Sequence, residues 1–136
     1  MKKILFTALA ATALAGCATQ SDQEAVVTVD QLTGQQWVVE DINGEGIIDN
    51  SRVTLNFTEE NRVAGEATCN QYFARYSVEG QTLNIEKAAT TMMACPEALM
   101  NQERRFLEAL QNVRSFELDD TNALVLTGEG SRILAR

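Results

Sequence analysis

One change of hydrophobic period constrains this chain more than any other feature. Up to residue 85 the apolar residues recur every second position in short runs. Ser51–Phe57 is the clearest, with Val53, Leu55 and Phe57 on one face and Arg52, Thr54 and Asn56 on the other. Gln35–Ile42 reads as a first strand with Trp37, Val39 and Ile42 on different sides of the pleat, and Arg62–Ala67, Tyr72–Val78 and Gln81–Ile85 as further short strands, separated by Asn43-Gly44, Glu59-Glu60-Asn61 and Glu79-Gly80 turns. Gly65 lies inside one of these runs and predicts a bulge or a sharp bend. Between Pro96 and Val113 the period lengthens. Leu99, Glu103, Phe106, Leu107, Leu110 and Val113 then fall on one helical face, all apolar except Glu103. Pro96 suits the first helical position, Glu97 suits the positive end of the helix dipole, and Arg114 suits the negative end. Three more short strands follow, Ser115–Leu118, Ala123–Leu126 and Arg132–Ala135. A helix with a single apolar stripe must lie against the sheet. The expected fold is mainly β (α+β): a small, strongly curved antiparallel sheet or open barrel of about eight strands with one packed α-helix.

The first residues belong to a different regime. Lys2 and Lys3 precede an apolar run from Ile4 to Leu14, which ends in Leu14-Ala15-Gly16-Cys17. A transmembrane helix would need about 20 apolar residues, so the run is too short to span. An ordinary secretory signal with a chance cysteine is the competing reading. The cysteine at the cleavage point resembles the lipobox of bacterial lipoproteins. That resemblance implies a signal peptide at 1–16, a diacylglycerol on the Cys17 thiol and acylation of the new amine. Residues 17–31 are then a lipidated flexible tether, polar and small apart from Val26-Val27, with a reach of roughly 20 Å. The folded domain occupies 32–136. Ala18 stands where an Asp would resemble an inner-membrane retention signal, so the expected location is the periplasmic face of the outer membrane.

Loss of residues 1–16 leaves 120 residues, enough for one domain with one core. Lys2 and Lys3 leave with the signal. Nine basic side chains then face 19 acidic ones, a net charge of −10. The basic residues are scattered, apart from Arg104-Arg105, so nucleic-acid binding is disfavoured. Electrostatic docking on anionic lipid is disfavoured as well, which leaves the anchoring to the acyl chains. The expected state is a monomer, and no cofactor or metal is expected. There is no histidine, so the commonest general base and the commonest metal ligand are both missing. With Cys17 lipidated, Cys69 and Cys95 form an even pair in an oxidising compartment. A disulfide between them is the preferred reading. It would close a loop of 26 residues, which in the chain-entropy picture is worth roughly 3–4 kcal/mol. The competing reading is a reactive Cys95 thiol, activated by the start of the helix.

Cys69-Asn70-Gln71-Tyr72, Thr91-Met92-Met93-Ala94-Cys95-Pro96, and Glu103, Phe106 and Leu110 on a helix together resemble the META domain, as does Leu32-Thr33-Gly34 followed by Trp37. Its bacterial members include heat-inducible HslJ-like lipoproteins. The resemblance spans about residues 31–135. It implies one β-rich domain with one helix, an envelope location and a link to stress or drug tolerance, and it carries over no catalytic residue. One departure is Thr68, where the family often has Gly. Glycine accepts a positive φ there, and threonine resists it.

Other patterns have sharper and plainer readings. Asp41-Ile42-Asn43-Gly44-Glu45-Gly46 opens like a calcium loop and Asp49 falls at position 9, but Arg52 replaces the bidentate Glu at position 12. A plain polar loop is preferred. Asp119-Asp120 and Glu59-Glu60 sit in turns, not across a cleft. Tyr72 and Tyr76 line either a groove or the core. Met92 and Met93 line a groove or, preferably, pack beneath the helix. Three functions remain open. The preferred one is a non-enzymatic envelope lipoprotein that binds a protein or an apolar ligand in a groove between sheet and helix. The second is an inhibitor of a basic secreted hydrolase such as lysozyme, with the acidic Asp41–Asp49 loop as the plug. The third is a periplasmic thiol redox protein.

Overall fold

The computed structural model describes residues 28–136. The expected signal peptide, Cys17 and most of the tether lie outside the described residues.

The chain enters through a single helical turn, α1 (Val29–Leu32). The expected tether therefore stops short of residue 31. Leu32 is buried, and its carbonyl accepts a 3.0 Å hydrogen bond from Trp37 Nε1, so this turn belongs to the domain. Ten strands follow: β1 (Gln36–Ile42), β2 (Glu45–Gly46), β3 (Thr54–Thr58), β4 (Arg62–Glu66), β5 (Gln71–Glu79), β6 (Thr82–Ile85), β7 (Ala89–Thr90), β8 (Val113–Leu118), β9 (Leu124–Gly128) and β10 (Ser131–Ala135). The long helix α2 (Glu97–Asn112) sits between β7 and β8.

Eight strands form a ring, β1-β3-β4-β5-β6-β8-β9-β10, closed by the antiparallel pairing of β10 back onto β1. The expected curvature thus runs on to full closure, which leaves no open edge in the ring itself. The ring is not uniform. β4 and β5 pair over five residues, whereas β6 and β8 meet at the single pair Thr82↔Ser115. Alternation places Val39, Leu55, Val63, Tyr72, Leu83 and Ile133 inside, where all are buried.

Helix α2 supplies the rest of the core from its apolar stripe, with Phe106, Ala109 and Leu110 buried. The helix begins at Glu97, so Pro96 stands one place before the first helical position expected of it, and Arg114 Nη1 donates to the Gln111 carbonyl at 3.1 Å, as the dipole favours. No loop joins α2 to β8: the helix ends at Asn112 and the strand begins at Val113. Gly128 makes that junction possible. A side chain there would collide with the Asn112 carbonyl, and the strand pairing skips a residue between Val113 and Ser115.

Gly65 has a different reason from the expected bulge. Its pairing with Tyr72 is regular, but the Thr54 main chain presses so close that no Cβ fits. The Thr54 carbonyl accepts from the Tyr72 hydroxyl at 2.7 Å, while Thr54 Oγ1 accepts from the Glu66 N–H at 3.0 Å. A side chain and a phenol replace the ladder bonds there.

Candidate binding site at the disulfide-held edge

Three buried polar side chains, Asn70, Gln102 and Glu103, gather beside the 69–95 disulfide. Glu103 projects from α2 and is only 5 % exposed; Asn70 is 4 % exposed. One Glu103 carboxylate oxygen accepts from the main-chain N–H groups of Cys69 (3.0 Å) and Asn70 (2.7 Å), and the other from Asn70 Nδ2 (2.8 Å). This explains the one polar residue in the apolar stripe. A buried carboxylate is tolerated when several donors converge on it.

Asn70 then turns outward. Its Oδ1 accepts from the Met93 N–H at 2.6 Å, and its Nδ2 donates to the Met93 carbonyl at 3.2 Å. The carboxamide so behaves as an extra peptide group, extending β5 by one residue along the chain that leaves β7. Thr91 N donates to the Gln71 carbonyl at 3.0 Å, and Thr91 Oγ1 bonds to both Gln71 N and Asn70 Oδ1.

Gln102, fully buried beside Glu103, accepts from Ile48 N and donates to Ser51 Oγ and Thr68 Oγ1 at 2.8, 2.8 and 2.9 Å. It ties the loop after β2 to Thr68. Thr68 itself has φ = 106°, a conformation that costs a β-branched residue on the order of 1–3 kcal/mol. Threonine thus keeps the backbone that the family's glycine would permit, held by Gln102 and by the neighbouring disulfide. Cys69 and Cys95 are joined, with Cα atoms 6.0 Å apart. The bond leaves Cys95 without a free thiol in this structure, so the redox reading needs the bridge to be reduced first.

The segment held by this apparatus is exposed. Met92 and Met93 are 95 % and 64 % exposed, so they do not pack beneath the helix. That space is filled: Tyr72 stacks edge-on against Phe106 at 5.3 Å, and Tyr76 against Phe57 at 5.2 Å. Both tyrosines are core residues, not groove lining. Burial pushes both phenols up from their ordinary range, that of Tyr76 with help from Glu59. Their hydroxyls donate to the Thr54 and Thr58 carbonyls. Among the described residues, the aromatic that faces solvent is Phe73, 61 % exposed on the outer face of β5. A pocket of about 210 Å³ lies beside the disulfide, lined among others by Glu66, Thr68, Asn70, Thr91 and Met93.

The acidic loop is engaged in its own architecture. Asp41 Oδ1 accepts from Gly44 N, Asn43 Oδ1 accepts from Arg132 N, and Glu45 pairs with Arg105. The first two oxygen ligands of the imagined calcium loop therefore point into a hairpin. Of the residues that build the site, the sequence marks the cysteines, the methionines and Glu103. It offers no signal for Gln102, and Asn70 is visible only as part of the family string.

The META domain family matches residues 30–136. The chain belongs to the META domain family. A prokaryotic membrane lipoprotein lipid attachment site matches residues 1–18, so this META protein is a membrane-anchored envelope lipoprotein. Among its relatives is the heat shock protein HslJ of Escherichia coli K12, 26 % identical over 103 residues, which cover 75 % of this chain and 71 % of that protein. The META fold recurs in an NMR structure with a TM-score of 0.66 and 23 % identity, covering 81 % of this chain and 94 % of the other. A second NMR structure, from Burkholderia xenovorans, gives a TM-score of 0.61 at 18 % identity, covering 78 % and 82 %.

Proposed function

We propose that this lipoprotein is a non-enzymatic recognition module at the periplasmic face of the outer membrane, binding another envelope protein through the outer surface beside the 69–95 disulfide. One observation carries the reading. Two methionines stand in solvent on a segment that a disulfide and Asn70, itself fixed by a buried glutamate, hold in place. Exposed, adaptable apolar side chains on a fixed frame suit recognition. The groove between sheet and helix is filled by Tyr72 and Phe106, so the surface replaces it as the site. The lysozyme-plug reading loses support because two of the loop's three carboxylates are engaged, Asp41 with Gly44 N and Glu45 with Arg105. The kinship with a heat shock protein supports a part in envelope stress.

The test is crosslinking in intact cells followed by pull-down, comparing wild type with Cys17→Ser and with Met92→Glu/Met93→Glu. A partner recovered with wild type and lost with the double substitution is the expected result. Recovery of no partner with the wild type, or an undiminished one with the double substitution, contradicts it. Membrane fractionation checks the location, and the protein should follow outer-membrane markers.

A further inference from the structure

The feature that the barrel leaves open is the line formed by β6 and β7. Both run along the same side of β5, with Ile85 opposite Tyr76, Ala89 opposite Phe73 and one extra residue between. The ring continues from β6 to β8, but among the described residues β7 pairs with β5 alone. Peptide groups alternate in direction along a strand. Thr91 N and both main-chain groups of Met93 bond inward, to Gln71 and Asn70. The main-chain groups of Thr90 and Met92 therefore face away from the barrel. Every residue from Ala89 to Ala94 is exposed, and none from Ala88 to Ala94 is charged.

Natural sheets usually blunt such an edge with lysine, proline, a bulge or a covering segment. Here Lys87 and the extra residue lie before the short β7, but no such device falls between Ala88 and Ala94. Asn70 lengthens the neighbouring strand, Glu103 fixes Asn70, and the disulfide anchors the far end. These devices keep an uncharged edge extended and in line.

The geometry points to β-strand addition: residues Ala89–Met93 accept an extended segment of a partner protein as an additional strand, its apolar side chains meeting Met92 on one face or Met93 on the other. This rests on the recognition reading above and deepens it. The occupant is a basic extended segment. A second copy would bring a further ten negative charges to a mature domain already at −10, whereas a cationic strand meets an attractive field.

Amide hydrogen exchange on the mature lipoprotein in detergent tests this, with a short synthetic peptide of alternating lysine and leucine as the probe. The expected pattern is alternating. Thr90 and Met92 exchange at least about tenfold more slowly with the peptide, while Thr91 and Met93 change little, since they are already bonded. A glutamate–leucine peptide leaves all four unchanged. Met92→Pro removes an outward N–H without breaking an internal bond, a place where an edge strand tolerates proline. It should abolish the protection at Thr90, and Met92→Ala should keep it. Thr90→Pro, read at Met92, repeats the test should proline at 92 disturb the loop.

Peptide binding without protection at Thr90 and Met92, or unchanged binding by both proline variants, overturns the proposal. Protection that rises with protein concentration and needs no peptide also overturns it, because the occupant is then a second copy. The cellular pull-down bears on recognition in general and the exchange pattern on this edge alone, so the two readings fail separately.

Discussion

Glu103 shows how much one side chain can organise. Three N–H groups converge on a carboxylate that is nearly sealed from water. Glu103→Ala strands buried donors on Cys69 and Asn70, each costing about 1–3 kcal/mol. Urea unfolding with the disulfide intact should show a total loss of roughly 3 kcal/mol. Glu103→Gln keeps part of the acceptor set and should lose less. Thr68 sets two effects against each other. Thr68→Gly relieves the positive φ but gives up the bond from Gln102, while Thr68→Ala keeps the strain and gives up the same bond. Glycine should therefore be more stable than alanine by about 1 kcal/mol at this position, and equal midpoints would contradict the strain assignment. Both positions are marked in the sequence, Glu103 as the one polar residue of the apolar stripe and Thr68 as a departure from the glycine of the META pattern, but Gln102 is not, because a buried glutamine carries no periodic mark.

At the scale of elements, close approach explains two glycines and hydrogen bonding one turn. Gly128→Ala forces a methyl against the Asn112 carbonyl at the α2–β8 junction. It should cost about 2–3 kcal/mol in thermal unfolding, whereas Gly46→Ala, with nothing nearer than 3.9 Å, should be close to neutral. The β8–β9 turn is fixed by Asp119, whose Oδ1 accepts from Thr121 Oγ1, Thr121 N and Ala123 N. The Thr121 side chain first, then the Ala123 main chain, hold this carboxyl below its usual value of 3.8. A depressed folded value means that the contribution is complete above the unfolded value and fades as pH falls through the folded one. The stability gap between wild type and Asp119→Ala should be constant at neutral pH and close only in that acidic window. A gap that instead narrows toward alkaline pH would contradict it. The longer strands and α2 were legible because their periods differ and their turns carry Gly and Asn. β2 and β7 were not, since two exposed residues make no period. Gly65 was noticed, but its cause lies in Thr54, a neighbour on another strand.

For the whole molecule, what the sequence left open was closure. The β1–β10 pairing joins the ends of the domain, and no local pattern announces contacts so far apart in the chain. The ring has one thin place, the single Thr82↔Ser115 pair between β6 and β8. Native-state hydrogen exchange should open β6 there before the fully paired β4–β5 and β9–β10 hairpins. Uniform protection around the ring would contradict the prediction.

Asn112 and Val113 carry a consequence for how this domain can evolve. With no spacer between coil and sheet, an inserted residue at that seam has nowhere to be absorbed. It would either turn the upstream cylinder by roughly 100° or exchange the inner and outer faces of the ribbon that follows. Phe106 or Phe116, on either side, would then leave the interior. The joint works like meshed gears, so length changes should be tolerated in the turns but not there.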